Sequence, residues 1–367
     1  MEKTNVERIR TGRNWNCLNT GILKKTAAAL TWGYLMGVWI IFPDLLTAEE
    51  EKENKWFDRV RVSGFIEVEA GISKIDYGDP AEADRKKSDA DLASAGVAVD
   101  VSFSPYAEGH VLFKYEDDDV FVDEGFITLT GAEKIPAYLI AGKQYLPFGN
   151  FETHFISDPI TLELGETNEG GMVIGYRPVQ DLVDINVSVF NGKTGKAGSD
   201  DIIENYTARV MVTPLKTISL GTSYTSNLAA ADSFSDEIQT GLKDYVAGWS
   251  IFMTALLSER FTVYGEYLAA LESFEPGEIY DATDTGTRNP GAWNLELGYA
   301  VTENFQVALC YGGSTDGGAF LPQKRYGTVA NWGLFENTSL ALEYLRTEFE
   351  DGYQTVDAVT VQLAIEF

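Results

Sequence analysis

"DAVTVQLAIEF", residues 357–367, closes the chain with Val359, Val361, Leu363, Ile365 and Phe367 alternating with Thr360, Gln362, Ala364 and Glu366. A period of two puts one set on each side of an extended strand. The run is longer than a usual soluble strand of about five or six residues, and matches a tilted membrane-crossing strand of about 9–11.

The same rhythm recurs upstream. "VRVSGFIEVEA" (60–70) puts Val60, Val62, Ile66 and Val68 on one face and Glu67 and Glu69 on the other. "LVDINVSVF" (182–190), "WNLELGYAV" (293–301) and "FQVALCY" (305–311) repeat it. Short links stand at 104–107, 131–136, 177–181, 213–217, 257–260, 302–304 and 336–337. Between them lie longer polar stretches at 73–91, 116–122, 145–168, 191–203, 227–243, 271–291, 312–324 and 347–354. Short and long connections in strict alternation predict an all-β fold: a transmembrane antiparallel β-barrel of about 16 strands, of the outer-membrane porin type. Closure leaves no sheet edge, as lipid demands. A soluble sandwich or β-helix has no need of that alternation.

Composition agrees. The 367 residues are 12% aromatic and include 35 Gly. Against 28 basic residues stand 56 acidic ones, a formal charge of −28. Such a surplus excludes nucleic acid as a partner, because phosphate backbones are held by Lys and Arg. It also sets up a field that attracts cations. Cys17 and Cys310 imply no disulfide framework, and Cys17 precedes the apolar stretch instead of ending it, which excludes a lipoprotein.

Lys24 and Lys25 precede an apolar core from about Thr26 to Phe42, broken by Pro43-Asp44 and followed by Ala48 and an acidic run. That order predicts a signal peptide over 1–48. A short periplasmic segment (49–58) and the barrel (59–367) follow, in the outer membrane of a Gram-negative bacterium. Removal of the leader takes six basic and three acidic residues and leaves about −31.

With the apolar set on lipid, the other set faces the lumen: Glu67, Glu69, Asp100, Asp184, Glu266, Glu296, Glu343 and Glu366, with Arg61, Lys114 and Arg209 as a basic minority. Alternation does not separate the faces of 135–145 and 325–334. An acidic lumen favours cations.

One stretch breaks the period. "GKQYLPFGNFETHFISDPITLELGE" (142–166) is punctuated by Pro and Gly, yet rich in aromatics. Sixteen strands enclose a water-filled channel, and a loop with its own apolar cluster can fold inward to narrow it. The expectation is an inward loop over 145–168 in which Phe148, Phe151 and Phe155 are anchors. Glu152, His154 and Asp158 then line the constriction. Pro147-Phe148-Gly149 and Asp158-Pro159 make its turns. The alternative is an external cap that never enters the pore. Catalysis is not expected: His110 and His154 are the only histidines, and neither a nucleophile elbow, metal-ligand spacing nor a phosphate loop accompanies them. "DYGDPAEAD" and "EDDD" (116–119) lack the spacing of a calcium loop. No cofactor or metal is expected.

"DRVRVSGFIEVEAGISKIDYG" (58–78), "GHVLFKYEDDD" (109–119), "VDEGFITL" (122–129) and "YLIAGKQYLPFGNFETHFISDPITLELGET" (138–167) resemble the LbtU-type (legiobactin-uptake) siderophore porins. The likeness spans most of the chain beyond the leader. It implies an outer-membrane barrel that imports ferric siderophore without an energised plug. The chain is short for a barrel of 22 strands plus a plug domain. It also leaves only about nine residues between the expected cleavage site and Asp58 for any periplasmic helix.

The function expected is therefore a porin passing small solutes by diffusion, with a ferric siderophore as cargo. The alternatives are a general cation-preferring diffusion porin and a structural or adhesive barrel. The partners expected are outer-membrane lipid and lipopolysaccharide, and the barrel-assembly machinery through Phe367. A homo-oligomer is a further possibility.

Overall fold

The computed structural model describes residues 56–78, 83–131, 134–198, 200, 202–350 and 354–367. The expected leader lies outside them, as does most of the short segment that follows it. The chain runs through β1 (Val60–Asp76), β2 (Arg85–Ser104), β3 (Ala107–Glu116), β4 (Asp119–Thr130), β5 (Ala137–Tyr145), β6 (Asn168–Val179), β7 (Val183–Phe190) and β8 (Asn205–Leu215). It continues through β9 (Ile218–Thr225), β10 (Gly248–Leu256), β11 (Phe261–Ala270), β12 (Gly291–Thr302), β13 (Phe305–Thr315), β14 (Lys324–Phe335), β15 (Thr338–Glu348) and β16 (Thr355–Glu366). Each strand pairs antiparallel with its sequence neighbours, and β1 pairs with β16 to close a barrel of 16 strands.

The closing seam runs from Phe65–Glu366 to Asp76–Thr355, and the Gly64–Phe367 pair extends it by one step. Gly64 and Phe367 exchange main-chain hydrogen bonds of 2.9 Å in both directions. The Phe367 ring lies where a Cβ on Gly64 would sit, 2.4 Å from its Cζ. Tyr138 covers Gly175, and Phe252 covers Gly221, in the same way. Aromatic rings laid over glycines fill the gaps those residues leave in a curved sheet.

Alternation sorts the faces as the amphipathic pattern demands. Val62, Ile66, Val68, Ile185, Val187, Val189, Leu295, Leu297, Leu309, Val359, Val361, Leu363 and Ile365 are all exposed. Their strand neighbours Glu67, Glu69, Asn186, Ser188, Asn294 and Glu296 are buried. An apolar belt of this extent is stable only against lipid or another apolar surface.

The long connections depart from expectation at two places. The stretch 116–122 is not a loop: β3 and β4 meet through Asp117 and Asp118 alone, with φ of 51° and 66°. Two successive positive φ values make the hairpin turn that matches strand twist, and Asp tolerates them. The acids of "EDDD" are thus largely turn residues. The stretch 73–91 is mostly strand, because β1 and β2 are 17 and 20 residues long and extend well past the tip of the β3–β4 hairpin.

The main apolar core lies inside the loop end of the barrel, where connections 146–167, 226–247, 271–290 and 316–323 meet. Phe148, Phe151, Ile160, Leu164, Phe234, Phe274 and Leu321 pack there. Phe234 meets Phe274 edge-on, with ring centroids 5.5 Å apart. Each such side chain contributes about 1.5–3 kcal/mol by leaving water.

Candidate functional site: a loop held by wall carboxylates

The segment between β5 and β6 enters with a tight turn, Phe148 N donating to Leu146 O at 2.8 Å. Gly149 follows at φ 72° and Phe151 at φ 49°. Gly149 is required here. A Cβ on it would stand 2.3 Å from Phe151 Cζ, because the Phe151 ring folds back over it. A left-handed aromatic residue is strained, so other contacts must hold this turn.

Those contacts come from the wall. Gly149 N donates to Ser223 Oγ of β9 at 2.9 Å. Asn150 N and Phe151 N donate to the two oxygens of Glu266 on β11, at 2.9 and 3.0 Å. Glu296 on β12 accepts from Thr153 Oγ1 and His154 N, both at 2.7 Å. Glu343 on β15 accepts from Ile156 N at 2.7 Å, Ser157 N at 3.1 Å and Ser157 Oγ at 2.7 Å. From β14, Asn331 Nδ2 donates to His154 O at 2.9 Å and Arg325 Nη1 to Asp158 O at 2.7 Å. Glu266, Glu296, Glu343, Ser223 and Asn331 are all buried and lie on the face opposite the apolar belt. The segment therefore follows the inside of the barrel from β9 to β15.

Glu266 and Glu343 each take two consecutive loop N–H groups, and Glu296 takes one N–H and the Thr153 hydroxyl. Hydrogen bonds to a carboxylate are charge-assisted, roughly twice as strong as neutral ones. They satisfy main-chain donors that no strand pairs. After Pro159 the chain makes one short helix, α1 (Ile160–Gly165), whose residues are all buried. Gly165 is packed so closely that a Cβ would meet Leu268 Cδ1 at 2.3 Å.

The expected loop residues are divided among different surroundings. Phe148 and Phe151 are in the apolar core, while Phe155 is half-buried and outside it. The His154 side chain is turned onto the wall. Its Nδ1 is 3.0 Å from Glu296 Oε2, and its ring stacks on Tyr264 at 4.2 Å. Gly298 makes room, since a Cβ there would be 2.5 Å from His154 Nε2. Glu152 is half-buried and Asp158 buried.

The remaining expected lumen acids have other partners. Glu67 accepts from Ser94 Oγ, and Glu69 from Gln362 Nε2 at 2.9 Å. Asp100 pairs with Arg61 at 3.2 Å and lies 2.7 Å from His110 Nδ1. Asp184 pairs with Arg177 at 2.8 Å and accepts from Tyr138 Oη at 3.0 Å. Lys114 is fully buried, 2.9 Å from Glu116. Glu366 is half-buried at the seam strand's end.

Asp123 and Glu124 escaped alternation. The register shifts between Leu112 and Phe113, so Asp123 is an extra residue on β4 and both acids are buried. A bulge breaks the period that would have placed them. Ser223, Arg325 and Asn331 were equally illegible, being ordinary polar residues until the loop reaches them.

Burial also alters charge in the loop. Desolvation raises Glu163 to about 7, against the opposing Arg325. Desolvation, then the nearby Asp158 and Asp232, hold Glu166 well above the usual carboxylate range. Among the described residues no three His, Cys, Asp or Glu side chains are grouped to hold a metal.

No known family model matches this chain. It is 25% identical over 308 residues to a UPF0422 protein of Coxiella burnetii, covering 78% of this chain and 63% of that one. To the UPF0422 protein lpl2888 of Legionella pneumophila (strain Lens) it is 20% identical over 298 residues, covering 73% and 56%. The chain thus spans about three fifths of the length of the curated relatives it matches. Among solved structures it is similar to an anion-selective porin from Comamonas acidovorans, with TM-score 0.59 and 11% identity over 84% of this chain and 99% of that one. It is also similar to Salmonella typhi OmpF in complex with daunomycin, with TM-score 0.59 and 11% identity over 84% and 97%. At such identities the likeness is one of fold: this chain has the architecture of a porin barrel.

Proposed function

We propose that this chain is an outer-membrane porin of a Gram-negative bacterium that passes small solutes by diffusion and does no chemistry on them. One observation carries the reading: a closed barrel with an apolar outer belt has a loop bound along its inner wall by Glu266, Glu296 and Glu343. A barrel that only displays surface loops has no use for three buried carboxylates gripping a loop from inside. In this reading the loop narrows the passage, with Glu152 in its polar lining and Asp158 packed away from it. Lipid and lipopolysaccharide surround the belt, and Phe367 is the handle for barrel assembly.

The acid surplus supports a preference for cations, through Coulomb attraction in a confined lumen. A ferric siderophore is the specific cargo we favour. Its support is the sequence resemblance carried by residues 138–167 and nothing in the wall chemistry. The test is a planar bilayer containing the folded protein. Ohmic steps with a cation-leaning reversal potential are expected, followed by saturable block as ferric siderophores are titrated. Conductance without block leaves a general diffusion porin. A folded barrel that never conducts overturns the reading.

A further inference from the structure

Lys114, on the inner face of β3, is 2% exposed, and among the described residues it is the one buried lysine. Its ammonium lies 2.9 Å from Glu116 on the same strand. An ammonium can donate in several directions, and other acids surround it. Asp123 of the β4 bulge and Asp158 of the inner loop act on it electrostatically, and Glu124 and Glu166 lie within its field. All of these carboxylates are buried.

The acids belong to different parts of the loop and its supports. Asp123 takes both stems of the loop. Tyr145 Oη, at the end of β5, donates to it at 3.3 Å, and Asn168 Nδ2, at the start of β6, at 3.2 Å. Asp158 stands at the far turn, where its main-chain oxygen accepts from Arg325 of β14. In the closed sheet β15, β16, β1 and β2 lie between β14 and β3. At Asp158 the loop therefore reaches from one sector of the wall towards another. Glu166 ends the return arm, directly after α1.

Stems, far turn and return arm thus converge on one positive charge. Carboxylates gathered out of water repel one another, and a buried charge without a counter-ion is costly. Glu343 and Arg325 hold the far turn by its main chain. On the β3 side the counter-charge comes from Lys114, whose long stem carries a compact point charge. We propose that Lys114 is the latch of the inner loop: its ammonium holds the far turn at Asp158 and the return arm at Glu166 to the β3–β4 wall. Only the consequence for ion current rests on the porin reading.

The test compares wild type, Lys114→Met, Asp158→Asn and the double variant in detergent micelles. Folding is checked by faster migration before boiling than after. Methionine keeps most of the side chain's length and removes its charge. Hydrogen exchange is read at Ser157 N and Glu166 N, beside the latch. The control is Asn150 N and Phe151 N, which Glu266 holds on the first arm. Lys114→Met is expected to speed exchange at Ser157 and Glu166 on the order of tenfold or more, the worth of a hydrogen bond to a charged group. Asn150 and Phe151 should not change. Asp158→Asn should speed Ser157 likewise, and the double variant should add little at Ser157, because both changes remove one interaction. If Lys114→Met does not fold, Asp158→Asn carries the test, since it leaves Lys114 with Glu116. Unchanged exchange beside the latch in a folded variant, equal acceleration at Asn150 and Phe151, or additive effects each overturn the proposal. Where the wild type conducts, Lys114→Met is expected to pass more current per channel, and equal currents overturn the latch as well. A wild type that never conducts, with exchange following this pattern, sinks the channel reading and leaves the latch standing.

Discussion

Glu343, near the end of the chain, accepts the main-chain N–H groups of Ile156 and Ser157, at 2.7 and 3.1 Å, from a strand 187 residues further on. Glu266 does the same for Asn150 and Phe151, and Glu296 accepts from His154 N and the Thr153 hydroxyl, so one segment is held by three wall acids. Hydrogen bonds to a charged acceptor contribute about 1.5–3 kcal/mol each. Glu343→Gln keeps the shape and removes the charge. The amides of Ile156 and Ser157 are then expected to exchange with solvent about one to two orders of magnitude faster. Unchanged exchange would show that the carboxylate charge does not hold the loop.

Deleting 148–160 tests what the held loop does. The deletion leaves every strand intact, so the barrel is expected to form and to migrate as a heat-modifiable band. Its single-channel conductance should exceed that of the wild type, since the passage loses its narrowing segment. A folded deletion with wild-type conductance would remove the constriction from the proposal.

Gly149→Ala tests the turn at the loop entry. The φ of 72° costs a residue with a Cβ about 1–2 kcal/mol, and the contact with Phe151 at 2.3 Å adds to that. The expected outcome is looser packing of Phe151, read as faster proteolysis within 148–160 at unchanged barrel stability. Gly170→Ala, where a Cβ meets nothing within 4 Å, is the matched control.

Glu163 makes loop packing depend on pH. Its folded value of about 7 lies above the unfolded 4.5, so the neutral form is the one the fold favours. Its contribution is fully present below pH 4.5, falls as pH rises towards 7, and is lost above that. The loss is on the order of 3 kcal/mol. Protease resistance of the loop is expected to be greater at pH 5 than at pH 8. Glu163→Gln should flatten that profile, whereas a profile unchanged by the substitution would locate the effect in another group.

Much of the fold was legible in advance because β structure writes its faces locally. A strand that crosses lipid must repeat every second residue, and the run ending at Phe367 does so without reference to any other part of the chain. The same local rule set Glu266, Glu296 and Glu343 on the inner face. It failed where the backbone itself deviates. The bulge at Asp123 adds a residue, and the turn at Asp117-Asp118 looks like a polar loop until its φ values are known.

What alternation leaves open is partnership. It placed Glu266, Glu296 and Glu343 among the inward acids without saying that each would hold loop amides. Those outcomes depend on barrel circumference, on the path of one loop past β9, β11, β12 and β15, and on which carboxylates its amides meet first. The residues concerned are 74 to 187 positions apart in the chain. A two-residue period determined which side of the wall each residue occupies. Only closure of the sheet, which brings distant strands within hydrogen-bond reach of one loop, decided what each inward residue holds.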